Sequence, residues 1–310
     1  MEKRILIIGS LNMDMVVEME NMPLIGETIL GKNLSYIPGG KGANQTCAVG
    51  KTGGDVVMLG CVGDDGMGET LVKNLTESGA DTSYIVKVKG EPTGMAFIYV
   101  NEEGDNSIVV VSGANFCCDV AYLKKNDFLF KEAGYVMLQM EIPYESVFYA
   151  IKRAKELGKT VILNPAPAPD TLPEDIWDKL DYITPNETEL VKLGKSIGSC
   201  TLDVEKNAGK LLEKGVKNVL VTLGEKGALL INKKGSILYP ARKVEAVDTT
   251  AAGDCFNGAF VTALSQGKEE GEAIFFANTA SSIAVTRKGA QSSIPSKEEV
   301  ACLVEQAIIS

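Results

Sequence analysis

The chain has 310 residues, 45% of them hydrophobic, which is enough for one large domain or one domain with a small appendage. Its net charge of −10 argues against nucleic acid and anionic membranes as main partners, while local anion sites remain open. With no histidine anywhere, Ser-His-Asp and Cys-His catalysis and any histidine-containing zinc site are excluded.

Seven cysteines (Cys47, Cys61, Cys117, Cys118, Cys200, Cys255 and Cys302) form no C-x-x-C pair, so the sequence predicts reduced, mostly packed thiols. The apolar run Ile5–Ile8 after Met1-Glu2-Lys3-Arg4 is too short for a signal peptide, and no stretch approaches the ~18 apolar residues of a membrane helix. A cytoplasmic protein with no membrane partner is expected.

Ile5–Gly9 reads as a buried strand with Asn12-Met13-Asp14 just past its end, where open α/β sheets place ligands; an Asx turn is the competing reading. Val16, Val17 and Thr28–Leu30 suggest strands outside a main sheet, and so do Ala96–Val100 and Ile108–Val111. Between these sets, Gly39-Gly40-Lys41-Gly42-Ala43-Asn44-Gln45 precedes a helix reaching about Val49. Its spacing is not that of a G-x-x-x-x-G-K-[ST] phosphate loop, and a plain strand-to-helix turn is the alternative.

Val56–Cys61 is expected as a strand and Gly68–Ser78 as an amphipathic helix. Strand Tyr135–Gln139 ends at Glu141, and a helix (Glu145–Leu157) and a strand (Thr160–Leu163) follow. Strand Asp181–Thr184 leads to Asn186, which with Glu189 three residues on makes a capping box. After helix Asp203–Lys214, strand Val219–Thr222 breaks at Leu223-Gly224-Glu225-Lys226-Gly227, with strands Ala228–Ile231 and Ser236–Tyr239 beyond. This alternation predicts a three-layer α/β/α sandwich with a largely parallel sheet.

The segment Asp248-Thr249-Thr250-Ala251-Ala252-Gly253-Asp254 runs into a helix expected over Phe256–Leu264. Small residues at a helix start let an anion reach the free N–H groups, which the helix dipole reinforces. A carboxylate beside such a hollow suits phosphoryl transfer to an alcohol, although Asp is also common in a first helical turn. Helix Glu272–Val285 carries Asn278, and Thr286-Arg287-Lys288-Gly289-Ala290 closes the set.

DTTAAGDCFNGAF resembles the C-terminal signature of the ribokinase-like carbohydrate kinases, and GGKGAN resembles their N-terminal motif. The similarity runs from residue 5 to about 295. It implies one α/β domain over residues 1–310, with a small β lid from about 15–38 and 93–111 that serves in a homodimer. It also implies ATP-dependent phosphorylation of the 5-hydroxyl of D-ribose, with 2-deoxyribose or another sugar or nucleoside as the alternative acceptor.

By the same resemblance Asp254 is the base and the Ala251–Gly253 backbone is the anion hole. Asn12, Asp14, Gly40, Lys41, Gly42, Asn44 and Glu141 hold the sugar. ATP is implied along Thr222, Leu223, Gly224, Glu225, Lys226 and Gly227, with Gly253 and Asn278, and Mg²⁺ near Asn186 and Glu189. Asp248, the carbonyls of Thr250, Ala284, Arg287 and Gly289, and Ser293 are implied around a monovalent cation. One carboxylate plus carbonyls suits K⁺ better than Mg²⁺.

Two other classes are weaker. A dinucleotide-dependent dehydrogenase needs G-x-G-x-x-G after its first strand, and here Gly9 is followed by Ser-Leu-Asn. A sugar sensor that had lost catalysis would be expected to lack Asp254 or Gly253, and both are present.

Overall fold

The computed structural model describes residues 3–199 and 201–309; Cys200 lies outside them. Six strands run parallel in the central sheet: β1 (Ile5–Ile8), β4 (Val56–Leu59), β9 (Tyr135–Leu138), β10 (Thr160–Leu163), β11 (Tyr182–Ile183) and β12 (Asn218–Thr222). An antiparallel hairpin, β13 (Ala228–Asn232) and β14 (Gly235–Tyr239), completes eight strands in the order β14-β13-β12-β11-β10-β9-β1-β4.

The strands are continuous apolar runs because both faces of the sheet are covered. Side chains alternate across a strand, so Ile5 and Ile7 enter one core while Leu6 and Ile8 enter the other. Val56 and Met58 against Val57 and Leu59 repeat the division. The first core is closed by α1 (Lys41–Lys51), α2 (Gly66–Glu77), α8 (Ala252–Ser265), α9 (Glu270–Ala284) and α10 (Lys297–Ile309). The second lies under α3 (Val120–Lys125), α4 (Asp127–Glu132), α5 (Tyr144–Glu156), α6 (Glu187–Ser196) and α7 (Val204–Glu213). The result is a three-layer α/β/α sandwich. No helix among the described residues is long and apolar enough to cross a membrane.

A second sheet of four strands, ordered β3-β2-β7-β8, forms a lid. It contains β2 (Asn12–Glu18), β3 (Asn33–Gly39), β7 (Gly94–Val100) and β8 (Asn106–Val111). Because β2 starts at Asn12, Asn12 and Asp14 belong to the lid, and Asn12 pairs in register with Gly39, next to the start of α1.

Other details also differ from the sequence reading. Thr28–Leu30 is irregular, and Leu30, fully exposed like Leu24 and Ile25 nearby, has no surface to bury against; β3 starts only at Asn33. The strand expected over Val56–Cys61 stops at Leu59, and after Gly60 a short β5 (Cys61–Gly63) pairs with β6 (Val86–Val88). The sequence reading assigns no element to the segments that form α3, α4 and α10.

Candidate active site

Helix α8 begins at Ala252, four residues earlier than its apolar pattern indicates, so the Ala-Ala-Gly-Asp run forms the helix mouth itself. Its N-cap, Ala251, adopts φ 57° and ψ 12°, the one non-glycine residue at positive φ among those described. A left-handed alanine costs about 1–2 kcal/mol, and such strain gathers where geometry serves function. Ala251 has no side-chain acceptor to cap the helix, and of the first amides Ala252 donates to the Thr249 carbonyl (3.2 Å). A Cβ added at Gly253 would meet nothing within 4 Å, so the mouth opens onto free space. The turn is pinned from behind: Ser281 Oγ donates to the Ala252 carbonyl (3.0 Å) and Asn257 Nδ2 to the Gly253 carbonyl (2.9 Å).

Asp254, one residue further, is 7% exposed. Asn44 Nδ2 donates to its Oδ2 and Gln45 Nε2 to its Oδ1, both at 2.9 Å. Both donors come from α1, whose start is fitted closely against the β1–β2 turn. A Cβ on Gly42 would lie 2.6 Å from the Gly9 carbonyl carbon, and one on Gly40 (φ 87°) would lie 2.7 Å from Asn12 N. Gly39 likewise leaves the volume that the Asp14 carboxyl fills. These glycines therefore set the distance between α1 and the lid.

Glu141 Oε2 accepts from the Lys41 amide (3.1 Å) and from Ser10 Oγ (2.5 Å), which seats a carboxylate at the positive end of α1. Asp14 is pushed up to about 7 by burial, by Glu141 and by Asp254, with Lys41 opposing. The Lys41 ammonium is raised above its ordinary value, first by Asp254 and then, against the effect of burial, by Glu141, Glu189 and Asp14. Asp14, Lys41, Glu141 and Asp254 thus form one electrostatic cluster under the lid. A cavity of about 470 Å³ adjoins it, lined among others by Asn12, Val110, Phe116, Glu141 and Tyr144.

Asn12 reaches that cavity with its Oδ1 already accepting from Asn115 Nδ2 (2.7 Å). Asn115 also bridges the Leu11 amide and carbonyl, so it fixes the hinge between β1 and the lid. Nothing in the sequence reading marked Asn115, or Ser10 against Glu141; each lies in a turn whose partner is remote along the chain.

At the carboxyl end of the neighbouring strands, Asn186 and Glu189 cap α6 reciprocally (Glu189 N to Asn186 Oδ1 2.8 Å, Asn186 N to Glu189 Oε2 3.0 Å). Burial raises the Glu189 carboxyl above its ordinary value, against the Asn186 amide and Lys41. Thr222 pairs with Asn186 across an isolated bridge. Leu223 N donates to the Gly227 carbonyl (2.8 Å), closing a turn that exposes Gly224, Glu225 and Lys226. Asn278 Nδ2 donates to the carbonyls of Tyr239 (3.0 Å) and Pro240 (3.3 Å), so this side chain holds the end of β14 against α9.

Asp248 receives the Thr250 amide on Oδ1 (2.9 Å) and the Gly289 amide on Oδ2 (2.8 Å), while Val247 and Asp248 both donate to the Val285 carbonyl. These hydrogen bonds hold Asp248 below its ordinary value, although burial, the largest single influence, acts the other way. The Ala284 carbonyl accepts from the Arg287 amide (3.0 Å), and Ser293 Oγ donates to the Ala290 carbonyl (2.8 Å). The structure therefore brings Asp248, Thr250 and Gly289 together next to the C-terminus of α9, with the Ser293 hydroxyl engaged in its own turn. Among the described residues no group of three or more Asp, Glu or Cys side chains converges on a metal-sized point. A cation at this loop would rest on one carboxylate and main-chain oxygens, a donor set that suits a large monovalent ion better than Mg²⁺.

The family model of the pfkB carbohydrate kinases matches residues 2–297. The chain belongs to the pfkB family and is a carbohydrate kinase. It is 40% identical over 307 residues to a ribokinase of Haemophilus influenzae, covering 99% of this chain and 100% of that protein. It is 37% identical over 295 residues to a deoxyribokinase of Salmonella typhi, covering 95% and 96%. Among solved structures, ribokinase from Thermotoga maritima superposes with a TM-score of 0.90 at 42% identity, covering 98% of this chain and 100% of that one. Arabidopsis thaliana ribokinase, complexed with ribose and ATP, also gives 0.90, at 34% identity with 98% and 99% coverage.

Proposed function

We propose that the protein is a ribokinase, transferring the γ-phosphoryl group of ATP to the 5-hydroxyl of D-ribose to give ribose 5-phosphate and ADP. The observation that carries this reading is the placement of Asp254. Its two carboxyl oxygens are held by two amide donors at the open mouth of α8, within the charge cluster of Asp14, Lys41 and Glu141. Full-length similarity to ribokinases supports ribose as the acceptor. The deoxyribokinase relative keeps 2-deoxyribose as the second acceptor, since the two sugars differ by one hydroxyl.

In this reading Asn12, Asp14, Lys41, Asn44 and Glu141, with the Gly40 and Gly42 backbone, bind the sugar and turn its 5-hydroxyl toward Asp254. Asp254 orients that hydroxyl and takes its proton, which leaves late because the transition state is loose. The Ala251–Gly253 amides, preorganised by the left-handed Ala251, stabilise charge on the transferring group. The turn from Thr222 to Gly227 and the Asn278 region hold ATP. Asn186 and Glu189 would hold Mg²⁺ carried in with ATP, which would supply charge neutralisation at the phosphates. Asp248 with main-chain oxygens of Thr250, Ala284, Arg287 and Gly289 would hold K⁺; Ser293 supports the loop from its own turn. Residues 1–310 work as one domain in the cytoplasm, and the lid joins two copies.

Asp254→Asn should fold and bind ribose with kcat reduced by about 10²–10⁴. Calorimetric ribose binding together with ADP release checks it; near-normal turnover in this variant would refute the base.

A further inference from the structure

We infer that Gln45 is a positioning residue for phosphoryl transfer, presenting an obligatory N–H to Asp254 through a buried chain of side-chain amides. The inference rests on the reading of Asp254 as the base. The chain starts at a group with no choice of role: the Thr184 carbonyl only accepts, and Asn164 Nδ2 donates to it at 2.8 Å. That turns Asn164 Oδ1 toward Gln45, whose Nε2 donates to it at 3.1 Å. The second hydrogen on the same nitrogen goes to Asp254 Oδ1 at 2.9 Å. From the other side Gln139 Nε2 donates to Gln45 Oε1 at 2.5 Å. Flipping the Gln45 amide would bring its oxygen against two acceptors and its nitrogen against a donor.

Gln45 and Gln139 are fully buried and Asn164 is 6% exposed, so water cannot repair a broken link. Gly9 is part of the device, because a Cβ there would lie 2.1 Å from Gln139 Oε1. The other carboxylate oxygen has a similar support, since Gln291 Nε2 donates to Asn44 Oδ1 (3.1 Å) and Asn44 Nδ2 donates to Asp254. Asn44 also belongs to the proposed sugar set, so Gln45 is the position where aim can be separated from binding. The titratable groups around Asp254 are Lys41 on α1, Asp14 on β2, Glu141 beyond β9, Glu189 on α6 and the adjoining Cys255 thiol. None of them replaces the directional donor.

The test measures kcat against pH, ribose affinity by calorimetry and Tm for Gln45→Met and Gln45→Glu, with Asp254→Asn in parallel. Gln45→Met should lower kcat about 10–100-fold, leave ribose affinity within about threefold and move the acid limb of kcat up by about one pH unit. Removing a donor to a carboxylate disfavours its ionised form. Gln45→Glu, which puts a second carboxylate against Asp254, should move the limb further in the same direction. Wild-type kcat and acid limb in both variants, with only a lower Tm, would assign Gln45 to packing and overturn the inference, as would failure of both to fold. If Asp254→Asn itself turns over normally, the base assignment fails instead; an inactive Asp254→Asn beside unaffected Gln45 variants rejects the Gln45 inference alone.

Discussion

Asp14 shows what the charge cluster does to one side chain. Its folded pKa of about 7 lies above the ordinary 3.8, so between those values the folded protein holds a proton that the unfolded chain has released. Stability of the unliganded protein is therefore greatest at the acid end of that window and declines as pH rises through 7. Asp14→Asn cannot ionise and should escape the decline, so its Tm relative to wild type should be more favourable at pH 8 than at pH 5; thermal melts at the two values check this. Ala251 makes a second prediction, through strain. Ala251→Gly should leave kcat and Tm near wild type, whereas Ala251→Val, β-branched at φ 57°, should lower Tm and kcat together. Asp254, Asp14 and Glu141 were legible because they stand in recognisable motifs or at strand ends. The brace on Asp254 was not. Gln45, Asn164, Gln139 and Gln291 come from separate elements, and amide pairing leaves no periodic trace along the chain.

Among the elements, α1 does the most to organise the site. Its first five residues supply Lys41 and the two amides on Asp254, and its seating depends on three glycines with no room for a side chain. Gly42→Ala would push the helix off the Gly9–Ser10 backbone and should destabilise by about 1–3 kcal/mol, the usual range for overpacking. Chemical denaturation, with ribose KM rising more than kcat falls, tests whether that spacing sets the sugar site. The central strands were readable because burial on both faces demands continuous apolar runs. The α8 start lies outside its apolar pattern: Ala252 and Gly253 are small and Asp254 is polar, so they break that pattern at the helix mouth. Thr28–Leu30 misled in the opposite direction, as a β-prone triplet carries no information about whether a neighbouring strand exists.

For the whole molecule, the sandwich fixes the floor of the site and the lid covers it. The outer strand β8 exposes Ile108, Val109, Val110 and Val111, each more than 40% accessible. An exposed apolar edge strand of this kind calls for a partner, which supports the proposed lid-to-lid dimer. Ile108→Glu, away from the reacting groups, should shift sedimentation from dimer to monomer, while an unchanged dimer would place the interface elsewhere. The reaction itself is tested most directly by ADP release with MgATP against D-ribose, 2-deoxyribose, D-fructose and adenosine, each in K⁺ and in Na⁺. Fastest turnover on D-ribose, stimulated by K⁺ over Na⁺, is the expected result. Preference for another acceptor, or ribose binding without ADP release, would contradict the ribokinase assignment.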